Sequence, residues 1–321
     1  SFLKNTVDRI KPLVNIENIY LVTNEAYLEK VYEELPELSK DNIFLEPENK
    51  ETATCIGLSA VKLLKKDKDA VMMVLPSDHY IEDEKVFMDT MNQAVETVER
   101  KRGLLTIGVK PTRPETGYGY IEAGERIQGS IATYKVERFV EKPNVEVAKD
   151  LIMKGNYLWN SGMFVWRADI YLREMEKYLP KMYKSMMNIY YNLDTEKEED
   201  TIREEYRLID GISVDFGIMQ KTRKAYVIKC EFTWDDIGSF MSLSRFLKNF
   251  RGNNVEGNAF LEQSNNCIIF SKEKLIIGFG INDLIIVDSG DVMLIMDKNK
   301  DQEIKYLVDE LKSSNKFNNF T

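Results

Sequence analysis

The chain has 321 residues, 43% of them hydrophobic and 30% charged, enough for one large folded domain and a smaller one. Its net charge is −9 with dispersed basic residues, which argues against a nucleic-acid-binding surface but not against a local pocket for a small anion. One histidine, His79, leaves no His-rich zinc site and no Ser-His or Cys-His catalyst except one built on His79. Three widely spaced cysteines, Cys55, Cys230 and Cys267, read as those of a reduced, cytoplasmic protein. No run reaches the roughly 20 apolar residues that span a bilayer, and no secretory signal opens the sequence, so no membrane partner is expected. The chemistry left to such a chain runs on carboxylates, lysines and a hard cation.

Phe2, Leu3, Val7, Ile10 and Leu13 recur at helical spacing and predict a helix over residues 2–13. A buried strand follows at 18–23, a helix at 25–35 and a short strand at 43–45. Residues 51–66 put Ala53, Ile56, Ala60, Val61 and Leu64 on one helical face. The uninterrupted apolar run at 70–76 has the look of a strand buried on both sides. A helix over 84–100 and a strand over 104–109 continue the alternation. Strands and helices alternating in this way predict an α/β, Rossmann-like sheet, mixed and mostly parallel, with helices on both faces. Ligands of such sheets sit beyond the carboxyl ends of the strands. Strands are then expected at 117–122, 131–140, 157–166 and 223–228, with helices at 144–154 and 169–192. The charged stretch 194–207 reads as a solvated helix. From about residue 253 the chain turns to short β segments cut by Gly, Asn and Asp, including a hairpin around residues 288–291, and residues 299–312 close it as a helix. A boundary is placed near 250, giving domains 1–250 and 251–321, the second a small β-helix-like unit.

Six segments carry candidate chemistry. Asp78, in Leu75-Pro76-Ser77-Asp78-His79, stands at the end of the most buried strand and suits Mg²⁺, or else caps the next helix; His79 beside it is a candidate base. Glu141 and Lys142, before Pro143, suit sugar hydroxyls and a phosphate, or form a surface ion pair. Gly117 and Gly119 flank Tyr118 and permit close backbone approach to a ligand, or make a turn or bulge. Asn160 and Ser161 offer donors and acceptors for a sugar, or form a plain turn. Asp235 and Asp236 precede a helix at about 239–248, where one acid could be a second metal ligand or a cap. Glu48, Asn49 and Thr52 lead into a helix whose first N–H groups could meet a base or phosphate, or be capped locally.

The order of the segments EPENKETA, LPSDHYI, ETGYGYI, FVEKP, WNSGMFVW, SVDFGIM and FTWDDIGSF resembles the nucleotidyltransferases that join NTPs to sugar 1-phosphates, and among them the mannose-1-phosphate guanylyltransferases. The resemblance runs from residue 1 to about residue 310. It implies Mg²⁺ on Asp78 and Asp236, Glu141 on sugar hydroxyls and Lys142 on the sugar phosphate. It further implies Asn160 and Gly119 lining the sugar pocket, Glu48, Asn49 and Thr52 along the nucleotide, and Asp215 on the sugar side or in support. GTP and mannose 1-phosphate are the implied substrates, and the β tail resembles a domain that makes homodimer contacts. The family opens with a strand and a Gly-rich loop carrying an arginine and a later lysine that grip the triphosphate. No counterpart of that opening, a supersecondary unit of roughly 30–40 residues, precedes Ser1, so the chain as written is expected to bind NTP poorly. Other sugar 1-phosphates, a metal-dependent glycosyltransferase and a non-catalytic sugar-nucleotide sensor remain open on the sequence.

Overall fold

In a computed structural model, which describes residues 1–127 and 132–314, the chain divides into two units, Ser1–Trp234 and the residues from Asp235 onward. The first unit runs α1 (Phe2–Ile10), β1 (Leu21–Asn24), α2 (Leu28–Glu34), β2 (Ile43–Glu46), α3 (Glu51–Lys66), β3 (Val71–Val74), β4 (Tyr80–Ile81), α4 (Glu84–Lys101) and β5 (Leu104–Val109). It continues through β6 (Tyr120–Arg126), β7 (Thr133–Val140), α5 (Val145–Lys154), β8 (Tyr157–Arg167), α6 (Ala168–Tyr178), α7 (Pro180–Asn192), α8 (Glu198–Leu208) and β9 (Ala225–Lys229), and β10 (Trp234–Asp235) marks the junction. Residue 131 of the expected strand 131–140, and residues 315–321 of the expected C-terminal domain, lie outside the described residues.

The main sheet has six strands in the order β3-β8-β5-β9-β7-β6, and β1 pairs with β2 in a separate parallel pair. β3, β5, β9 and β6 run in one direction, and the sheet is mixed, as expected, but not mostly parallel in its pairings. β8 and β7 run the other way and interleave with them, so β5–β9 is the parallel pairing of this sheet and its other pairings are antiparallel. The cause is β8, which enters between β3 and β5. Its alternate residues feed two cores: Leu158, Phe164 and Trp166 face one, and Tyr157, Trp159, Met163 and Val165 the other. Helices α3, α6, α7 and α8 cover the first face, and α4 and α5 the second. In α3, Gly57 brings the backbone so close to Met175 and Met186 that a Cβ would lie 2.9 Å from the Met175 methyl.

Two expectations for the helices change. The single helix over 169–192 is two, because Leu179 leaves the helical region ahead of Pro180, which opens α7. The charged helix is not simply solvated: α8 buries Ile202 and Tyr206, four residues apart, against the core under α3.

The second unit contains α9 (Phe240–Ser244), β11 (Lys248–Phe250), β12 (Asn253–Glu256), β13 (Ala259–Glu262), β14 (Ile268–Ser271), β15 (Ile276–Phe279), β16 (Leu284–Asp288), β17 (Met293–Asp297) and α10 (Ile304–Ser313). β12, β14 and β16 stack in parallel, as do β13 and β15, around Leu261, Cys267, Ile269, Ile276 and Ile286. The corners repeat: Asn266 and Asp283 both take positive φ, 58° and 56°, and are hydrogen-bonded to each other at 2.6 Å. These are rungs of a β-helix. The expected hairpin is β16–β17, antiparallel.

Candidate active site

The residues that gather beyond the carboxyl end of β5 are put there by a bulge. Thr106 pairs with Phe164 and Gly108 with Asn160, so three residues of β8 stand against one of β5. Gly162 takes φ +72° inside the bulge, a conformation glycine adopts without strain. Ser161 is buried: its hydroxyl donates to the Ile107 carbonyl at 2.8 Å and accepts the Met163 N–H at 3.2 Å. Ser161 therefore closes the bulge and is not presented to a sugar. Asn160 is turned toward Asp215, to whose Oδ1 its Nδ2 donates at 2.9 Å. Asp215 opens a five-residue π turn, Asp215–Met219.

Glu141 follows β7 and completes the group. Its Oε2 is buried with no hydrogen-bond partner, the condition of an acceptor that awaits a ligand's donor. Gly119 lies against it: a Cβ there would run into the Glu141 carboxylate and stand 3.1 Å from the Phe139 ring and 3.3 Å from the Asn160 Cβ. The Asn160 N–H donates to the Gly119 carbonyl at 2.8 Å, tying the two segments together. Gly119→Ala is thus expected to displace the carboxylate and raise KM for the sugar substrate about tenfold without moving KM for the nucleotide, which steady-state kinetics measures. Lys142 is exposed, with Nζ 4.0 Å from Glu141. Its backbone sits at φ +46° just ahead of Pro143, strain of order 1 kcal/mol that the capped start of α5 holds in place.

Burial, and then the nearby Asp215, push the Glu141 carboxyl up to about 7. Burial likewise pushes Asp215 up to about 6, against the donor from Asn160. The group thus holds two carboxyls whose burial makes them keep their protons to higher pH than ordinary acids.

Gly119, Glu141, Lys142, Asn160 and Asp215 are therefore brought together as a group. Thr52 touches its edge, since its hydroxyl accepts the Val214 N–H at 2.9 Å. Glu48 and Asn49 are exposed at the start of α3, where Glu48 pairs with Lys50 at 3.2 Å and Asn49 accepts the Glu51 N–H at 3.2 Å. The N–H groups at the start of α3 are less available than its sequence implies, because Ala53 also donates, to the Ile212 carbonyl. Asp78 is exposed just beyond β3 and caps no helix: α4 begins at Glu84 after Asp83. His79 is buried and its Nδ1 accepts the Trp234 indole N–H at 3.1 Å, which makes it a core residue and not a base. Asp236 belongs to the second unit, where its Oδ1 accepts the Gly238 N–H at 3.2 Å. Its neighbour Asp235 is buried and pairs with Arg245. Sequence reasoning missed Thr106, whose hydroxyl meets Asn160 from the neighbouring strand β5 at 2.9 Å. A hydroxyl inside the apolar run LLTIGV was the signal available.

Comparison with known proteins decides the family. Residues 2–251 match the nucleotidyl transferase family model, and residues 257–311 match the mannose-phosphate isomerase/GMP-like β-helix domain. The chain belongs to the nucleotidyl transferase family. It is 37% identical to the mannose-1-phosphate guanylyltransferase of Salmonella muenchen over 98% of this chain and 67% of that protein. It is 36% identical to the enzyme of that name from Klebsiella pneumoniae, again over 98% and 67%. Among solved structures it is similar to mannose-1-phosphate geranyltransferase from Thermus thermophilus, with 28% identity and a TM-score of 0.86, covering 97% of this chain and 89% of that one. It also shares its fold with mannose-6-phosphate isomerase from Helicobacter pylori, at 27% identity and a TM-score of 0.62, over 73% and 90% of the two chains. The α/β transferase fold and the β-helix-like domain are thus those of the family. Among the described residues no helix is long and apolar enough to cross a membrane.

Proposed function

We propose that this nucleotidyl transferase moves GMP from GTP to mannose 1-phosphate, giving GDP-mannose and pyrophosphate, with residues 1–250 as the transferase domain and 251–321 as the β-rich domain. Guanine and mannose rest on the names of the relatives. The observation that carries a sugar pocket is the buried, unpartnered Oε2 of Glu141 beside Gly119, with the Lys142 ammonium at its mouth. A sugar hydroxyl donating to that oxygen satisfies an acceptor that is otherwise orphaned. Asn160 and Asp215 fix the floor beneath it.

An oxygen of the sugar phosphate forms the new bond to the α-phosphorus as the bond to the β-phosphate oxygen breaks, and pyrophosphate leaves. The phosphate monoester has its second pKa near 6, so at pH 7 it is largely dianionic and needs no base. That agrees with the burial of the chain's sole histidine. The obstacle is repulsion between two anions, and Lys142 lowers it by meeting the sugar phosphate while Glu141 and Gly119 fix the angle of approach. Asp78 and Asp236 are hard oxygen donors of the kind that hold Mg²⁺. Among the described residues no group of three or more His, Cys, Asp or Glu forms a cage. Mg²⁺ commonly uses one or two carboxylates with substrate phosphates and water instead, and a carboxylate such as that of Asp78 or Asp236 is of the type it takes. When bound, such a cation neutralises and orients the nucleotide's phosphates. A cytoplasmic homodimer is the state proposed.

Pyrophosphate release by the full-length protein across a grid of NTPs and sugar 1-phosphates tests the function. Turnover strongest with GTP and mannose 1-phosphate is expected. Release of a nucleoside diphosphate from a nucleotide sugar, without pyrophosphate, would identify a glycosyltransferase instead.

A further inference from the structure

We propose that Thr106 is a positioning residue for the transfer reaction, holding the Asn160 side chain in place in the sugar pocket through its buried hydroxyl. The proposal rests on the reading of that pocket given above. Thr106 is fully buried, in the middle of β5. Its Oγ1 lies 2.9 Å from Asn160 Oδ1 and 3.1 Å from the Met163 carbonyl, two acceptors on opposite sides of the β8 bulge. Asn160 Oδ1 also faces the Gly162 N–H, at 3.4 Å. The Gly162 N–H at one end of the amide and Asp215 at the other, 2.9 Å from Nδ2, set which way it faces, while the Thr106 hydroxyl, which carries one proton for its two acceptors, ties the amide to the sheet. Rotating the amide by half a turn would set Nδ2 against the Gly162 N–H and Oδ1 against the Asp215 carboxylate, one repulsion at each end. Thr106 thus anchors the position of the amide and does not choose between its ends, since a hydroxyl can meet either. The same hydroxyl spans the bulge, so it sets how closely the Asn160 Nδ2 approaches Asp215.

Thr106→Val keeps the volume and deletes the donor. Two readouts decide the matter. In steady-state kinetics, Thr106→Val is expected to lower kcat/KM for mannose 1-phosphate about tenfold, the size of one oriented hydrogen bond, with KM for GTP unchanged and Thr106→Ser restoring wild-type values. In the ligand-free protein, the Asp215 carboxyl followed by ¹³C NMR is expected to titrate at higher pH in Thr106→Val than in wild type, because it loses its donor, and normally in Thr106→Ser. An unmoved Asp215 titration overturns the proposal, as does an equal loss on both substrates. Should the valine variant not fold, Thr106→Cys, a weak donor of similar size, replaces it. If wild-type protein releases no pyrophosphate with any substrate pair, the reading of the function fails, while the Asp215 titration still judges Thr106.

Discussion

Asp78→Asn is expected to lower kcat by about 10²-fold or more in the full-length protein and to leave its melting temperature unchanged, and Asp236→Asn to lower kcat by a similar factor. The two halves of this expectation have separate causes. Asp78 is exposed beyond the end of β3 and caps no helix, so no fold-stabilising contact depends on its charge. Asp236 Oδ1 accepts the Gly238 N–H, an acceptor that an asparagine retains. What the amides lose is a full negative charge, which in the proposed role would hold a divalent cation, and loss of one preorganised charge-stabilising group typically costs about 10²–10³ in rate. Asp235→Asn is the contrasting variant. Its carboxylate is buried and paired with Arg245, so it loses stability first. Stopped assays at saturating substrate, with melting curves beside them, separate these classes. Unchanged Mg²⁺-dependent turnover in both Asp78→Asn and Asp236→Asn removes their assigned role.

Glu141→Gln has the second large effect, and it works in opposite directions on activity and stability. The buried carboxyl holds its proton up to about 7 in the folded protein, against an ordinary value of 4.5. Between those limits the unfolded chain has released the proton and the folded one has not. Raising the pH through that window therefore favours unfolding, and the stability this group contributes is greatest below 4.5 and lost above 7. At 1.36 kcal/mol per pH unit the swing is about 3 kcal/mol. Asp215 acts in the same sense, between 3.8 and about 6. A glutamine is neutral at every pH. Denaturant unfolding at pH 8 is expected to find Glu141→Gln more stable than wild type, and the pH dependence between 4.5 and 7 to flatten. Its kcat/KM for the sugar phosphate falls about 10²-fold, because a charged acceptor for the sugar is gone. A Gln variant that is less stable at pH 8 contradicts the assignment of Glu141 as a buried, uncompensated acid.

Much of this was legible before the fold was known, for reasons that differ by residue. The runs at 70–76 and 104–109 announce strands because a strand buried on both faces must be apolar throughout. The order of the motifs identifies Glu141, Lys142 and Asn160, and folding brings them together. The bulge in β8 was not legible, since it depends on how residues 160–164 pair with residues some 55 positions away. For that reason the sequence leaves Ser161 open between a sugar contact and a plain turn, and places Thr106 only as a residue of the strand over 104–109. The break at Pro180 was in plain view, but the apolar spacing runs through it and outweighed it. In α8 the acids and bases hid Ile202 and Tyr206, whose spacing of four marks a buried stripe. Adjacent acids are the hardest case: nothing local separates Asp235, tied to Arg245, from Asp236.

Transfer of a nucleotidyl group to an intact sugar phosphate is tested most directly by labelling the phosphate of mannose 1-phosphate with ¹⁸O and following both products by mass spectrometry. All of the label is expected in the GDP-mannose, including the oxygen bridging the two phosphorus atoms, with none in the pyrophosphate. Label in the pyrophosphate, or a product whose bridging oxygen is unlabelled, would contradict attack by the sugar phosphate on the α-phosphorus.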